Sequence, residues 1–73
     1  MLRELLKKLN DLTDADRRRF VEFDPDDLKA TTAAAALFDW KGEDHWIPFS
    51  QLRNEDGQLY ASTWILEQKG IEI

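Results

Sequence analysis

His45, Ser50, Ser62 and Thr63 are the side chains that could begin nucleophilic or acid–base chemistry, and they are too few to complete it. A hydrolase triad needs a nucleophile, a base beside it and a group that orients the base. His45 is the only histidine and the chain has no cysteine, so no second candidate base stands behind the hydroxyls. A zinc site would have to combine His45 with carboxylates, without a second imidazole or any thiolate. No glycine-rich phosphate loop is present. Asp24, Asp26 and Asp27 lie close together, but the loop glycine and distal glutamate of a calcium hand are missing. The expectation is therefore a protein that is not an enzyme, with no cofactor and no metal.

Carboxylates are the abundant functional groups. Fifteen Asp and Glu stand against ten Lys and Arg, for a net charge of −5. Residues 1–29 hold seven basic and eight acidic side chains, whereas residues 30–73 hold three and seven. An acidic C-terminal region repels phosphate backbones and anionic lipid, and is attracted to basic surfaces, including those that hold nucleic acid. Taken singly, these acids read as helix-cap and turn residues. As a group, Asp39, Glu43, Asp44, Glu55 and Asp56 fall at two loops and one strand end. They form a negative patch if those loops lie at one end of a sheet. Trp40 beside them could serve as an aromatic anchor. These six residues are the candidate partner-binding site. The run Arg17-Arg18-Arg19 could contact phosphate, but with Asp14, Asp16 and Glu22 in reach it reads first as a solvated, self-paired face.

The elements that must position these groups follow from periodicity. Leu2, Leu5, Leu6, Leu9 and Leu12 share one face of a helix. That face packs on a sheet or on a second copy of the chain, and the sheet is the expectation. Thr13, Asp14 and Asp16 predict the start of a second helix over about 14–22. Asp24-Pro25-Asp26-Asp27 opens either a single turn or a long helix through the alanines. Ala33 to Ala36 favour helix. Thr31-Thr32 and Leu37-Phe38-Asp39-Trp40 favour strand. A strand over about 30–39 is the reading adopted, with Ala36, Phe38 and Trp40 on one face.

The densest apolar stretch, His45 to Leu52, predicts a strand through the core, at an edge or bulged where Pro48 cannot donate. Gly42 and Asp56-Gly57 mark hairpin turns. Leu59-Tyr60-Ala61 gives a third strand. Ser62 caps a closing helix over Thr63–Lys69, with Gly70 as its stop, Ile71 as the accompanying apolar contact, and Trp64 and Ile65 facing in. The fold class expected is α+β in one domain: a helical region over 1–29 with two N-terminal helices, then a β-rich region over 30–73. That second region is a three-stranded antiparallel meander, or partial barrel, with a short C-terminal helix. No apolar run approaches the roughly 20 residues of a membrane span. Acids interrupt the N-terminal leucines and no cleavage site follows, so no signal peptide is expected. Absent cysteine suits a reducing cytoplasm.

Residues 30–73 resemble a family of small proteins from bacteriophages and mobile elements. The segments that carry the likeness are Ala33–Phe38, Lys41-Gly42-Glu43-Asp44, Trp46-Ile47-Pro48-Phe49-Ser50-Gln51, Asp56-Gly57 and Trp64-Ile65-Leu66-Glu67-Gln68-Lys69-Gly70-Ile71. Phe49 departs from the family pattern, where lysine is common, and residues 1–29 lie outside it. The resemblance implies a small β-rich fold and a phage origin, and supplies no catalytic residues. Trp46 and Trp64 are expected as a core pair.

Two functions fit. The first is a non-catalytic inhibitor of a host defence complex, an anti-CRISPR protein. It would act as a monomer or homodimer and set its acidic loops on the basic nucleic-acid-binding surface of a CRISPR effector or nuclease. The alternative is a small nucleic-acid-binding module of OB-like type, stacking bases on Trp40, Trp46, Phe49 or Tyr60. Net charge counts against the alternative, since phosphate contacts usually supply most of the affinity.

Overall fold

Pro48 decides the architecture. It ends a strand in an extended conformation, φ −62° and ψ 144°, and the next three residues, Phe49–Gln51, form a 3-10 turn. The chain thereby leaves one sheet and enters another, so the stretch His45 to Leu52 is not a single strand. The computed structural model describes residues 2–73 and contains six strands in two three-stranded antiparallel sheets. The first sheet has the order β1 (Phe20–Glu22), β6 (Gln58–Ser62), β5 (Leu52–Glu55). The second has the order β2 (Asp27–Thr31), β3 (Ala35–Trp40), β4 (Glu43–Pro48).

This corrects the expected layout of two N-terminal helices and one meander. The first helix exists, as α1 (Leu2–Lys8), and Leu5, Leu6 and Leu9 are buried in the core. The second does not. Thr13 and Asp16 do make the reciprocal bonds of a capping box, Thr13 N–H to the Asp16 carboxylate at 3.1 Å and Asp16 N–H to the Thr13 hydroxyl at 3.2 Å. The helix lasts one 3-10 turn, Asp16–Arg18, because Phe20-Val21-Glu22 pairs with Ser62-Ala61-Tyr60 as β1. The N-terminal region is thus α-helical only at its start.

The expected strand over 30–39 is two strands. Thr32 breaks it: its hydroxyl accepts the N–H groups of Ala34 and Ala35, and its own N–H bonds to Ala35 C=O at 2.8 Å. That tight turn joins β2 to β3, and β2 carries a bulge between Leu28 and Ala30. The alanines are therefore strand and turn, not helix. Ala36 lies fully buried in the core.

Both glycine-containing hairpins use the turn their sequences predict. Lys41 and Gly42 have φ 51° and 86°, Asp56 and Gly57 have φ 50° and 84°. Two positive-φ residues in succession match the right-handed twist of the flanking strands. A Cβ at Gly57 would meet nothing within 4 Å. Gly57→Ala should therefore cost only the left-handed backbone penalty, about 1–2 kcal/mol, read as a lower urea midpoint. An unchanged midpoint would mean that the turn relaxes.

The closing helix α2 (Thr63–Gln68) forms as expected. Ser62 Oγ accepts the Ile65 N–H at 3.1 Å, and past the helix end Gly70 has φ 71°. Ile71 N–H returns to Leu66 C=O at 2.8 Å, with Ile71 buried. Ile65 and Leu66 face the core, but Trp64 is 58% exposed. Trp46 is 43% exposed, on the opposite face of β4 from the fully buried Ile47. The expected Trp46–Trp64 core pair does not form. The aromatic centre is instead Phe23 against Phe38, edge to face at 5.5 Å between centroids, with Trp40 tilted on Phe23 at 5.5 Å.

Candidate functional site: the acidic end

The segment Asp24-Pro25-Asp26 links the two sheets and grips a hairpin on each side. Asp24 Oδ1 accepts from Gln58 Nε2 at 2.9 Å, beside the β5–β6 turn. Asp26 Oδ2 accepts the Lys41 N–H at 2.7 Å, and Asp26 N–H bonds to Asp39 C=O at 2.9 Å, at the β3–β4 turn. Both acidic turns consequently lie at one end of the molecule. The Asp26 contact also helps hold Lys41 in a left-handed conformation that a lysine rarely adopts.

Each candidate residue has its own situation there. Asp39 is half-buried and its carboxylate accepts the Gly42 N–H at 3.0 Å, which fixes the turn. Asp44 pairs with Lys29 through both oxygens at 3.0 Å. Glu55 pairs with Arg17, and that contact holds the Glu55 carboxyl below its ordinary value despite opposing desolvation. Glu43 is exposed, with one oxygen 3.7 Å from His45 Nε2. Asp56 is exposed and has no ion-pair partner among the described residues.

Trp40 is half-buried rather than a free anchor. Its ring packs on Phe23, and Lys41 Nζ sits 5.4 Å from the ring centroid. The exposed carboxylates of this end that lack a Lys or Arg partner among the described residues are then Asp24, Asp26, Asp27, Glu43 and Asp56, of which Asp24 and Asp26 also accept the hydrogen bonds just described. Asp44 and Glu55 already carry partial neutralisation. Sequence reasoning places Asp24 and Asp26 as helix-start acids and misses them as members of this surface. The proline between them is the available signal, since it favours an extended link over a continuing helix.

The catalytic candidates are scattered into structural roles. The Ser62 hydroxyl caps α2 and bonds Gln51. His45 lies on the inner face of β4, opposite Phe38, with Nε2 buried and without a hydrogen-bond partner among the described residues. Among those residues no cluster of three or more His, Cys, Asp or Glu is placed to hold a metal ion, and no helix is long and apolar enough to cross a membrane. The chain matches no family model, and no curated protein or solved structure is significantly similar to it.

Proposed function

We propose that this chain is a non-catalytic binding protein that docks its acidic end on a basic, nucleic-acid-holding surface of a host complex and blocks it. In concrete form it is a phage-type inhibitor of a CRISPR effector or nuclease. The observation that carries the reading is the clamp of Asp24-Pro25-Asp26 on both hairpin turns. It ties both acidic turns to one short link, at which Asp24, Asp26, Glu43 and Asp56 are exposed, and this supports the reading. Carboxylates held at strand turns need little reordering to meet arginines and lysines, and opposite potentials speed encounter. The OB-like alternative draws less support, because Trp40 is half-buried at the core edge and acids surround it.

The test uses the immobilised protein as bait in lysate of bacteria with an active CRISPR system. The wild type should retain an effector or nuclease subunit and release it at moderate salt. Glu43→Lys with Asp56→Lys, both at exposed positions, should reduce retention about tenfold or more with an unchanged circular dichroism spectrum. Equal retention by the variant, or an empty eluate, would overturn the proposal.

A further inference from the structure

We propose that a cleft at the opposite end of the first sheet binds a single nucleotide unit, with the base against Trp64 and the phosphate on Arg19. The cleft holds about 350 Å³, and its wall includes Arg19, Phe20, Ser50, Gln51, Arg53 and Trp64. That volume is at the lower end of the range found for small-ligand sites. Two arginines line it and no carboxylate does. It therefore differs in sign from the acidic turns, one strand length or about 13 Å away along β6.

The two arginines have different roles. Arg53 is committed: Nε donates to Asp16 at 3.0 Å, and Nη1 donates to the C=O groups of Ser50 and Leu52 at 2.9 and 2.8 Å. Its guanidinium lies over the Phe20 ring, 4.5 Å from the centroid. This makes a fixed floor whose charge Asp16 balances, so the unpaired positive charge of the cleft is that of Arg19. Arg19 is exposed and has no acid partner among the described residues. Its planar fork of N–H donors suits a phosphate.

The remaining groups add a flat apolar surface and further donors. Trp64 is the second most exposed large hydrophobic residue, at 58%, although the helix that carries it is anchored by Ile65 and Leu66. An indole held by its helix at a cleft mouth is a stacking platform, and every nucleobase offers a face to it. Gln51 uses its carbonyl to accept from Ser62 Oγ, which leaves its NH₂ group without a protein acceptor among the described residues. A planar ring joined to one anionic group satisfies this set. A longer strand would bring further phosphates toward a chain of net charge −5, so one nucleotide unit is the ligand class.

The test is a titration of the full isotope-labelled chain, at low salt, with AMP, adenosine and inorganic phosphate in turn. AMP should shift the signals of Arg19, Gln51 and Trp64 saturably, with an affinity about tenfold or more above that of either half. Arg19→Ala and Trp64→Ala should each weaken AMP about tenfold and leave signals remote from the cleft in place, because both side chains are exposed. A 5′-phosphorylated tetranucleotide identifies the source. Binding equal to or tighter than AMP assigns the end of a single strand, and weaker binding assigns a free nucleotide. Shifts that do not saturate, that survive both substitutions, or that a glutamate-rich peptide reproduces more tightly overturn the proposal. Repeated at about 0.15 M salt, where charges about 13 Å apart are largely screened, Glu43→Lys with Asp56→Lys should leave AMP binding within about twofold, so the two ends are tested separately.

Discussion

Phe23→Ala should remove about a third or more of the domain's stability at room temperature, enough to unfold it if that stability lies at the low end for its length. Phe23 is 0% exposed and stands where the chain passes from the first sheet to the second. Its N–H bonds to Leu59 C=O in β6 at 3.0 Å, while its ring meets Phe38 and Trp40 of β3. One residue therefore touches both sheets within the single core cluster that holds residues of each. Truncating a buried phenylalanine costs about 3–5 kcal/mol through lost transfer energy and the cavity left behind. A chain of this length has a total stability of roughly 4–11 kcal/mol. The loss is thus a large part of the whole. Urea unfolding followed by circular dichroism measures it, with Trp64→Ala as the exposed control, expected to change stability by less than about 1 kcal/mol. A Phe23→Ala midpoint close to the control would mean that the sheets hold together without the aromatic contact.

The same residue shows where the sequence is readable and where it is not. Turn chemistry is local, so Gly42, Asp56-Gly57, Ser62 and Gly70 are assigned to the positions they occupy. The leucine face of α1 is readable because three leucines at helical spacing have no other way to leave water together. The run Arg19-Phe20-Val21-Glu22-Phe23 is not. It follows a genuine capping box, and the competing force is pairing with β6, some forty residues away, which propensity does not register. The extra strand changes the fold class, since β1 gives the β5–β6 hairpin a third strand and β2 does the same for the β3–β4 hairpin. Pro48 reads correctly as a ladder break, but a break at an edge and a change of sheet look alike in one sequence.

The candidate site is readable in charge and not in position. Asp39, Glu43, Asp44, Glu55 and Asp56 stand out because they fall at turns, and the link 24–26 does bring those turns together. Which acids remain available depends on Lys29 and Arg17, which lie 15 and 38 residues from their partners. The tryptophans are misplaced for a simpler reason. Trp46 and Ile47 are adjacent in a strand, so only one of them can face inward. Trp46 pairs with Leu37 and Ile47 with the buried Ala36, which turns the larger side chain outward. The rings of Trp46 and Trp64, rather than the half-buried Trp40, are the free aromatic surfaces of the fold.

Asp16→Asn should destabilise the domain at neutral pH and remove much of its sensitivity to acid. The Asp16 side chain is 10% exposed, and Arg53, at 18%, lies against it. The carboxylate accepts the Thr13 N–H and the Arg53 Nε–H. The Thr13 backbone bond is the main cause that lowers the Asp16 carboxyl from its ordinary value, with Arg53 adding to it and burial opposing. A group whose folded value is lowered holds fewer protons in the native state than in the unfolded one. Its stabilisation is complete above the unfolded value, about pH 4, and is lost as pH falls through the lower folded value. Glu55, lowered by Arg17, acts in the same direction but from a more exposed pair. Asparagine keeps the shape and can still accept from Thr13, yet it leaves the Arg53 guanidinium without its countercharge in a nearly enclosed position. The variant should therefore have a lower urea midpoint than the wild type at about pH 7, and the gap should narrow as pH falls below about 4, where the unfolded chain binds the proton that the folded carboxylate resists. The loss should be smaller than that of Phe23→Ala and larger than that of Arg17→Ala, which removes a partly exposed pair. A gap that stays constant across that range would place the acid sensitivity on other carboxylates. In that case Asp16 holds Arg53 through hydrogen-bond geometry alone, and the placement of the guanidinium on the floor of the cleft would not depend on the carboxylate's charge.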